Sequence, residues 1–169
     1  MGPVFYVTSA VVLLATLLAI TRRNAVHALL YLVVSLLGTA LALFLLGAPF
    51  AAALEVIIYA GAIIVLFLFA VMMLDLGREG VAREGRLLRP RTWAGPALLA
   101  AALGALLVVV LARPQGLPPG FARPLGPEAV GRALLGPYLI GVELASLLLL
   151  AGLVGAYHLS RPRRGEAEP

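Results

Sequence analysis

The chain has 169 residues, of which 62% are hydrophobic and 12% are charged, and its formal net charge is +5 at pH 7. A soluble domain is typically about 45–50% apolar and about 25% charged, so this composition indicates an integral membrane protein. Cysteine is absent, which excludes disulfides and thiolate-held iron–sulfur or zinc sites on this chain. Most of the basic residues lie at the ends of apolar segments, so we expect no nucleic-acid partner.

Five apolar segments follow one another along the chain. Each meets or approaches the roughly 17–25 residues that a membrane-spanning helix needs. We therefore predict an all-α integral membrane protein with five transmembrane helices in a single membrane domain, residues 1–169. The predicted helices cover residues 3–20, 25–46, 50–76, 96–112 and 137–158. No positive residue precedes the first segment, so we predict a retained helix there and not a secretory signal.

The loops on the two sides of the predicted bundle differ in their arginine content. One side carries ten arginines and the other carries three, which predicts an outside N-terminus and a cytoplasmic C-terminus by the positive-inside rule. The three on the outer side are Arg113, Arg123 and Arg132. The ten on the inner side are Arg22, Arg23, Arg78, Arg83, Arg86, Arg89, Arg91, Arg161, Arg163 and Arg164.

Small residues recur at helical spacing, for example Gly38 and Ala42 on the second predicted helix. Such pairs let helix backbones approach closely inside a membrane, where lipid is as apolar as the helices themselves. The chain carries more such pairs than five helices can easily use for packing among themselves. The pattern therefore indicates packing against partner subunits as well as within the chain.

The third predicted helix carries an acid, a phenol and a glycine within seven residues, namely Glu55, Tyr59 and Gly61. On a regular α-helix Tyr59 shares a face with Glu55, because the two are four residues apart. Gly61 falls about 120° from Glu55 around the same helix. Gly61 either allows a close helix crossing, or an inserted π turn changes the register, as often happens at functional sites.

A second acid, Glu143, lies at a similar predicted depth in the fifth helix. No basic residue of the chain lies at that depth, so each acid must be protonated, hydrated or paired with another chain. Glu55 and Glu143 are therefore proton-path or partner-contact candidates, and the alternative is a hydrogen-bonded packing acid near the interface. His27 and His158 are too far apart in sequence to indicate a metal site, and we predict neither a metal site nor a catalytic residue.

Three stretches of the sequence resemble the J-subunit family of bacterial NADH-quinone oxidoreductase (respiratory complex I), which is related to the sixth mitochondrially encoded subunit. They are Asn24–Gly38, Leu54–Leu76 and Gly136–His158. The resemblance implies a non-redox subunit of the membrane arm, near the quinone site, in the bacterial inner membrane. It implies as partners the A, H, K and antiporter-like subunits and the peripheral NADH-oxidising arm. FMN and iron–sulfur clusters are expected on other subunits, and no cofactor on this chain.

In the family the third helix carries a π-bulge, which corresponds here to Tyr59 to Ile63. Switching that turn between α and π would rotate the inner half of the helix and open or close a water path between the quinone region and the antiporter-like subunits. The resemblance therefore implies gating or proton-path roles around Glu55, Tyr59 and Gly61. Two alternatives stay open: a membrane subunit of a related hydrogenase or cation/proton antiporter complex, and a purely structural membrane scaffold.

Overall fold

The fold is that of a computed structural model, which describes residues 2–22, 24–74, 90–112 and 125–160. The chain divides into two compact units, residues 1–125 and residues 126–169. The prediction of a single membrane domain stays a prediction, as does the orientation of the helices across the membrane.

The first unit is built of helices throughout its described part. Helix α1 is Pro3–Thr21 and α2 is Ala25–Leu45. A continuous third span follows, made of α3 (Pro49–Leu54), a π-helical stretch (Glu55–Ile63, the π segment) and α4 (Ile64–Leu74). Helix α5 is Pro90–Leu111. In the second unit, α6 is Pro127–Leu134 and α7 is Leu139–Ser160.

Within the described ranges, five helices are long and apolar enough to cross a membrane, which confirms the predicted all-α architecture. Their spans are Pro3–Thr21, Ala25–Leu45, Pro49–Met73, Trp93–Leu111 and Leu139–Ser160. The predicted start of the fourth helix at Pro96 is wrong, because α5 begins at Pro90 and contains Pro96. Hydropathy marks only the part of a helix that lies in lipid, and the helical backbone can begin several residues before that part. The predicted end of the third helix, with Asp75, lies outside the described residues.

Helices α1 and α2 pack closely because small and polar residues meet between them. A side chain on Gly38 would bring its Cβ within 2.6 Å of Val12 Cγ2, so the absence of a side chain there permits the approach. The hydroxyls of Thr16 and Ser35 are 2.7 Å apart across the same interface. Because the Thr16 hydroxyl also donates to the Val12 carbonyl oxygen at 2.8 Å, Ser35 is the donor to Thr16. The prediction that Gly38 serves close packing is confirmed.

A tight turn joins α2 to the third span. Gly47 adopts φ = 84°, a left-handed conformation that favours glycine. The Ala48 amide donates to the Leu43 carbonyl oxygen at 3.0 Å, and Pro49 begins α3, where its lack of an amide hydrogen costs nothing. Farther along the chain, the Leu125 amide donates to the Gly47 carbonyl oxygen at 3.1 Å. The turn therefore fixes one end of the third span against α2.

Near the opposite end of α2, one aromatic side chain links three helices. The Tyr31 ring is buried, and the Arg22 guanidinium lies 5.2 Å from its centroid. The Tyr31 hydroxyl lies against the backbone of Gly95 in α5, where a methyl side chain would fit only if the Tyr31 ring moved. Helices α1, α2 and α5 are thus joined at the level of Tyr31 by a stacked cation and a glycine contact.

The second unit begins with a short helix, α6, which the pattern of apolar segments does not predict. Pro127 occupies the first turn of α6, and Glu128 forms an ion pair with Arg132 one turn later. Arg132 was expected in a loop, and this expectation is wrong. A Cβ on Gly136 would lie 2.7 Å from the Arg132 carbonyl oxygen, so glycine is required where the chain turns from α6 towards α7.

Candidate functional site

The backbone of the third span changes its hydrogen-bond pattern between Glu55 and Ile64. The Glu55 amide bonds back to Ala51 and Ala52, as at the end of an ordinary helical turn. The Ile64 amide bonds to the carbonyl oxygens of Tyr59 and Gly61. The bond to Tyr59 closes over five residues, which is the spacing of a π-helix. The π segment therefore holds more residues per turn than the α-helices that continue it on both sides.

Gly61 lies inside the π segment, where its lack of a side chain has a steric consequence. A Cβ at this position would lie 3.2 Å from the Val56 carbonyl oxygen, five residues earlier in the chain. Since the neighbour is a backbone atom, it can move only if the helix itself adjusts. Gly61 therefore accommodates the π geometry at a point where a Cβ would require the Val56 carbonyl oxygen to move by a few tenths of an ångström.

The two other candidate side chains of the third span lie in the same π segment. Glu55 is half-buried, and Tyr59 is 50% exposed. Across the described ranges of the chain, neither side chain forms a hydrogen bond or an ion pair. An acid inside a membrane span needs a partner, a proton or water. The carboxyl of Glu55 is therefore left to water or to groups outside the described residues.

A family model described as NADH-ubiquinone/plastoquinone oxidoreductase chain 6 matches residues 15–159 of the chain. The match runs from α1 to α7 and includes the π segment.

The chain belongs to this family.

The relatives of the chain in this family include the protein named NADH-quinone oxidoreductase subunit J of Pseudomonas aeruginosa. It is 56% identical over 158 residues, which cover 93% of this chain and 95% of the relative. The protein of the same name in Escherichia coli strain K12 is 51% identical over 164 residues, covering 95% of this chain and 86% of the relative. A more distant one, from Buchnera aphidicola subsp. Baizongia pistaciae, is 32% identical over 160 residues, covering 95% of this chain and 98% of the relative. The family resemblance inferred from the sequence is thereby confirmed.

Glu143, the fourth side chain predicted as a proton-path or gating candidate, lies on α7 in the second unit. Its side chain is exposed within the described residues, and its backbone carbonyl accepts a 2.7 Å hydrogen bond from the Ser146 hydroxyl. The structure thus brings Glu55, Tyr59 and Gly61 into one segment and leaves Glu143 on a separate helix.

Among the described residues, His, Cys, Asp and Glu side chains nowhere gather in groups of three or more that could hold a metal ion. His27 is buried in the first turn of α2, where its amide donates to the Asn24 side chain at 3.2 Å.

One feature that the sequence did not indicate is an apolar groove between α2, the third span and α5. The groove has a volume of about 490 Å³. Its third-span wall reaches from Pro49 to Val56 and therefore borders the start of the π segment. The groove exists because α5 and the third span are set apart from each other beside α2. Hydropathy along the chain carries no signal for that separation.

Proposed function

We propose that this chain, a membrane subunit of NADH-quinone oxidoreductase, helps to couple electron transfer from NADH to quinone with proton translocation by changing the register of its third span. The observation that carries the proposal is the π segment, Glu55–Ile63, in the middle of that span. A π turn inserted into an α-helix adds one residue to a turn. Removing it rotates one half of the helix against the other by about 100°, the angle of one α-helical residue.

The turn at the start of the third span decides which half would rotate. Gly47 and Ala48 connect α2 to α3 with backbone hydrogen bonds on both sides of the turn. That end of the span is held, so the rotation would be taken up by α4, Ile64–Leu74. Gly61 lowers the steric cost of the π geometry, because only hydrogen faces the Val56 carbonyl oxygen.

Glu55 and Tyr59 are the protonatable groups of the same segment, and in this proposal they contribute to a hydrated proton path that the register change opens or closes. The lack of an ion pair or hydrogen bond for Glu55 among the described residues favours contact with water or a partner subunit. Glu143 on α7 is proposed as a further proton-path group. In this proposal, FMN and the iron–sulfur clusters reside on other subunits, and the A, H, K and antiporter-like subunits and the peripheral arm are the partners.

The orientation and location complete the proposal. The arginine distribution favours an outside N-terminus and a cytoplasmic C-terminus. The relatives described above are bacterial, which favours the inner membrane of a bacterium. Membership of the family favours NADH-quinone oxidoreductase over a related hydrogenase or cation/proton antiporter complex. Co-purification of the chain with a peripheral arm that oxidises NADH tests that preference.

The decisive experiment replaces Gly61 with Val in the assembled complex and compares NADH oxidation with proton pumping. We expect both to fall, while NADH oxidation by an artificial acceptor at the peripheral arm is retained. The matched control is Ala62→Val, which adds similar bulk and β-branching in the same π segment without creating a new Cβ at position 61. Normal coupled activity in Gly61→Val would contradict the gating role and leave the structural scaffold as the better account.

A further inference from the structure

Two neighbouring isoleucines, Ile63 and Ile64, stand at the point where the π segment ends and α4 begins. Ile64 is 7% exposed, whereas Ile63 is 38% exposed. We propose that these two side chains exchange places against α2 when the third span changes register, so that an isoleucine packs on α2 in either state. This exchange rests on the proposed function, and it names the contact that stabilises each of the two registers.

The side of α4 that packs inside the first unit is a narrow stripe. Ile64 is buried and Val71 is half-buried, while the other side chains from Val65 to Met73 are exposed. Ile64 and Val71 lie seven residues apart, close to two turns of an α-helix, so they share one face. Apart from the π segment before it, the element that α4 chiefly contacts is α2. Ile64 and Val71 are therefore the side chains through which α4 packs on α2.

The hydrogen-bond pattern determines which side chains would take their places. The Ile64 amide bonds to the Tyr59 carbonyl oxygen, five residues earlier, whereas a regular α-helix bonds over four. The third span thus holds one extra residue before α4. When that residue is absorbed into a regular helix, each position of α4 passes to the residue one place earlier in the sequence. Ile63 then takes the place of Ile64, and Ala70 takes the place of Val71.

The exchange keeps the packing on α2 nearly unchanged. One isoleucine replaces another at the buried position, so the contact that is lost is offset by an identical side chain. Helices in lipid associate chiefly through such van der Waals contacts, and two registers can interchange only if their packing energies are close. At the second position Ala70 lacks the methyl groups of Val71, which favours the π register found in this structure.

The experiment shortens one isoleucine at a time in the assembled complex. Cryo-electron microscopy during turnover with NADH and quinone gives the fraction of particles in each register, read from the backbone hydrogen bonds of the third span. Ile64→Ala removes the side chain that packs on α2 in the π register, so the ratio of π to α particles should fall at least about tenfold. Ile63→Ala removes the side chain that packs there in the α register, so the ratio should rise at least about tenfold.

The double variant Ile63→Ala with Ile64→Ala should return close to the ratio of the parent complex, because both registers then lose the same side chain. Leu66→Ala is the matched control. Leu66 is 69% exposed, and a shift by one residue brings it to the position of Phe67, which is also exposed. Leu66 thus faces away from α2 in both registers, and its variant should stay within about twofold of the parent ratio. Ile64→Val and Ile63→Val replace the alanine variants if those do not assemble, with smaller shifts in the same two directions.

Opposite shifts for the two isoleucine variants would support the exchange. Shifts in the same direction, or a ratio that neither variant changes, would overturn it and leave the register change itself standing. If the parent and every variant show only the π register, the proposed coupling role fails and the exchange fails with it. The two failures are told apart by whether particles in the α register are found at all.

Discussion

The amide of Ile64 donates a hydrogen bond to the carbonyl oxygen of Tyr59, five residues earlier in the chain. The usual α-helical bond from Ile64 would go to Ala60, four residues earlier. The displaced bond places the boundary of the π segment immediately after Ile63 and makes Gly61 part of the widened turn. It also separates the register of α4 from that of α3, although the two helices belong to one span.

The first prediction concerns the preference of this turn for the π register. Gly61→Ala places a Cβ near the Val56 carbonyl oxygen, at a separation that is 3.2 Å without adjustment. Crowding of this kind costs about 1 kcal/mol or more. We therefore expect a shift of at least about fivefold towards the regular α-helical bond, in which the Ile64 amide donates to the Ala60 carbonyl oxygen. A structure of the variant complex measures the bond pattern directly. Gly141→Ala, where nothing lies within 4 Å of the new Cβ, is the control. An unchanged bond from Ile64 to Tyr59 would refute the steric argument.

The second prediction concerns the carboxyl of Glu55. Glu55→Gln keeps the size and hydrogen-bonding capacity of the side chain and removes its acid–base function. If Glu55 contributes to a proton path, the number of protons pumped per NADH oxidised should fall several-fold, while the complex still assembles. Quenching of a pH-sensitive dye in inverted membrane vesicles, with NADH consumption followed in parallel, measures this ratio.

The control for Glu55 is the same change at an acid that already has an ion-pair partner and is not part of the proposed path. Glu128→Gln removes a carboxyl that is exposed and paired with Arg132 on α6. It should leave the pumping ratio unchanged, because this carboxyl is not part of the proposed path. The complex should also still assemble, because an exposed ion pair contributes only about 0–1 kcal/mol to stability. Equal ratios in Glu55→Gln and the parent complex would reduce Glu55 to a packing residue.

The sequence predicts the number of spans well and their interruptions poorly. The five spans follow from runs of apolar residues, because only a helix can satisfy its backbone hydrogen bonds in lipid. The position of Gly61 relative to Glu55 leaves a register change open, and the family resemblance implies a π-bulge at Tyr59 to Ile63; the third span contains a longer π-helical stretch, Glu55–Ile63, and the switch itself stays a prediction. The start of α5 at Pro90 was missed because the polar residues before Trp93 carry no hydropathy signal. The sequence does carry start and stop signals for α6, namely Pro127 in the first turn, an acid after it, and Arg132 near its end.

The third prediction concerns the close contact of α1 with α2. Gly38→Ala forces its Cβ against Val12 Cγ2, and valine has few alternative rotamers in a helix. We expect a loss of about 1–3 kcal/mol in the packing of the two helices. The loss would be seen as earlier release of this subunit when the detergent-solubilised complex is heated.

A second substitution separates this steric effect from a general effect of alanine. Val12→Ala removes the methyl groups that a Cβ at position 38 would meet. The double variant Gly38→Ala with Val12→Ala should therefore release the subunit closer to the temperature of the parent complex than Gly38→Ala does. If the two losses simply add, the two residues do not contact each other in the assembled membrane arm.

The last prediction concerns the direction in which the helices cross the membrane. The native chain contains no cysteine, so a thiol reagent can label this subunit only at an introduced site. Thr21, at the end of α1, and Ala112, just beyond α5, are both exposed and lie on opposite sides in the predicted orientation. With ten arginines on the inner side and three on the outer, Ala112→Cys should react with a membrane-impermeant maleimide in intact spheroplasts. Thr21→Cys should react only in inverted vesicles, and the reverse pattern would show that the positive-inside rule fails for this chain.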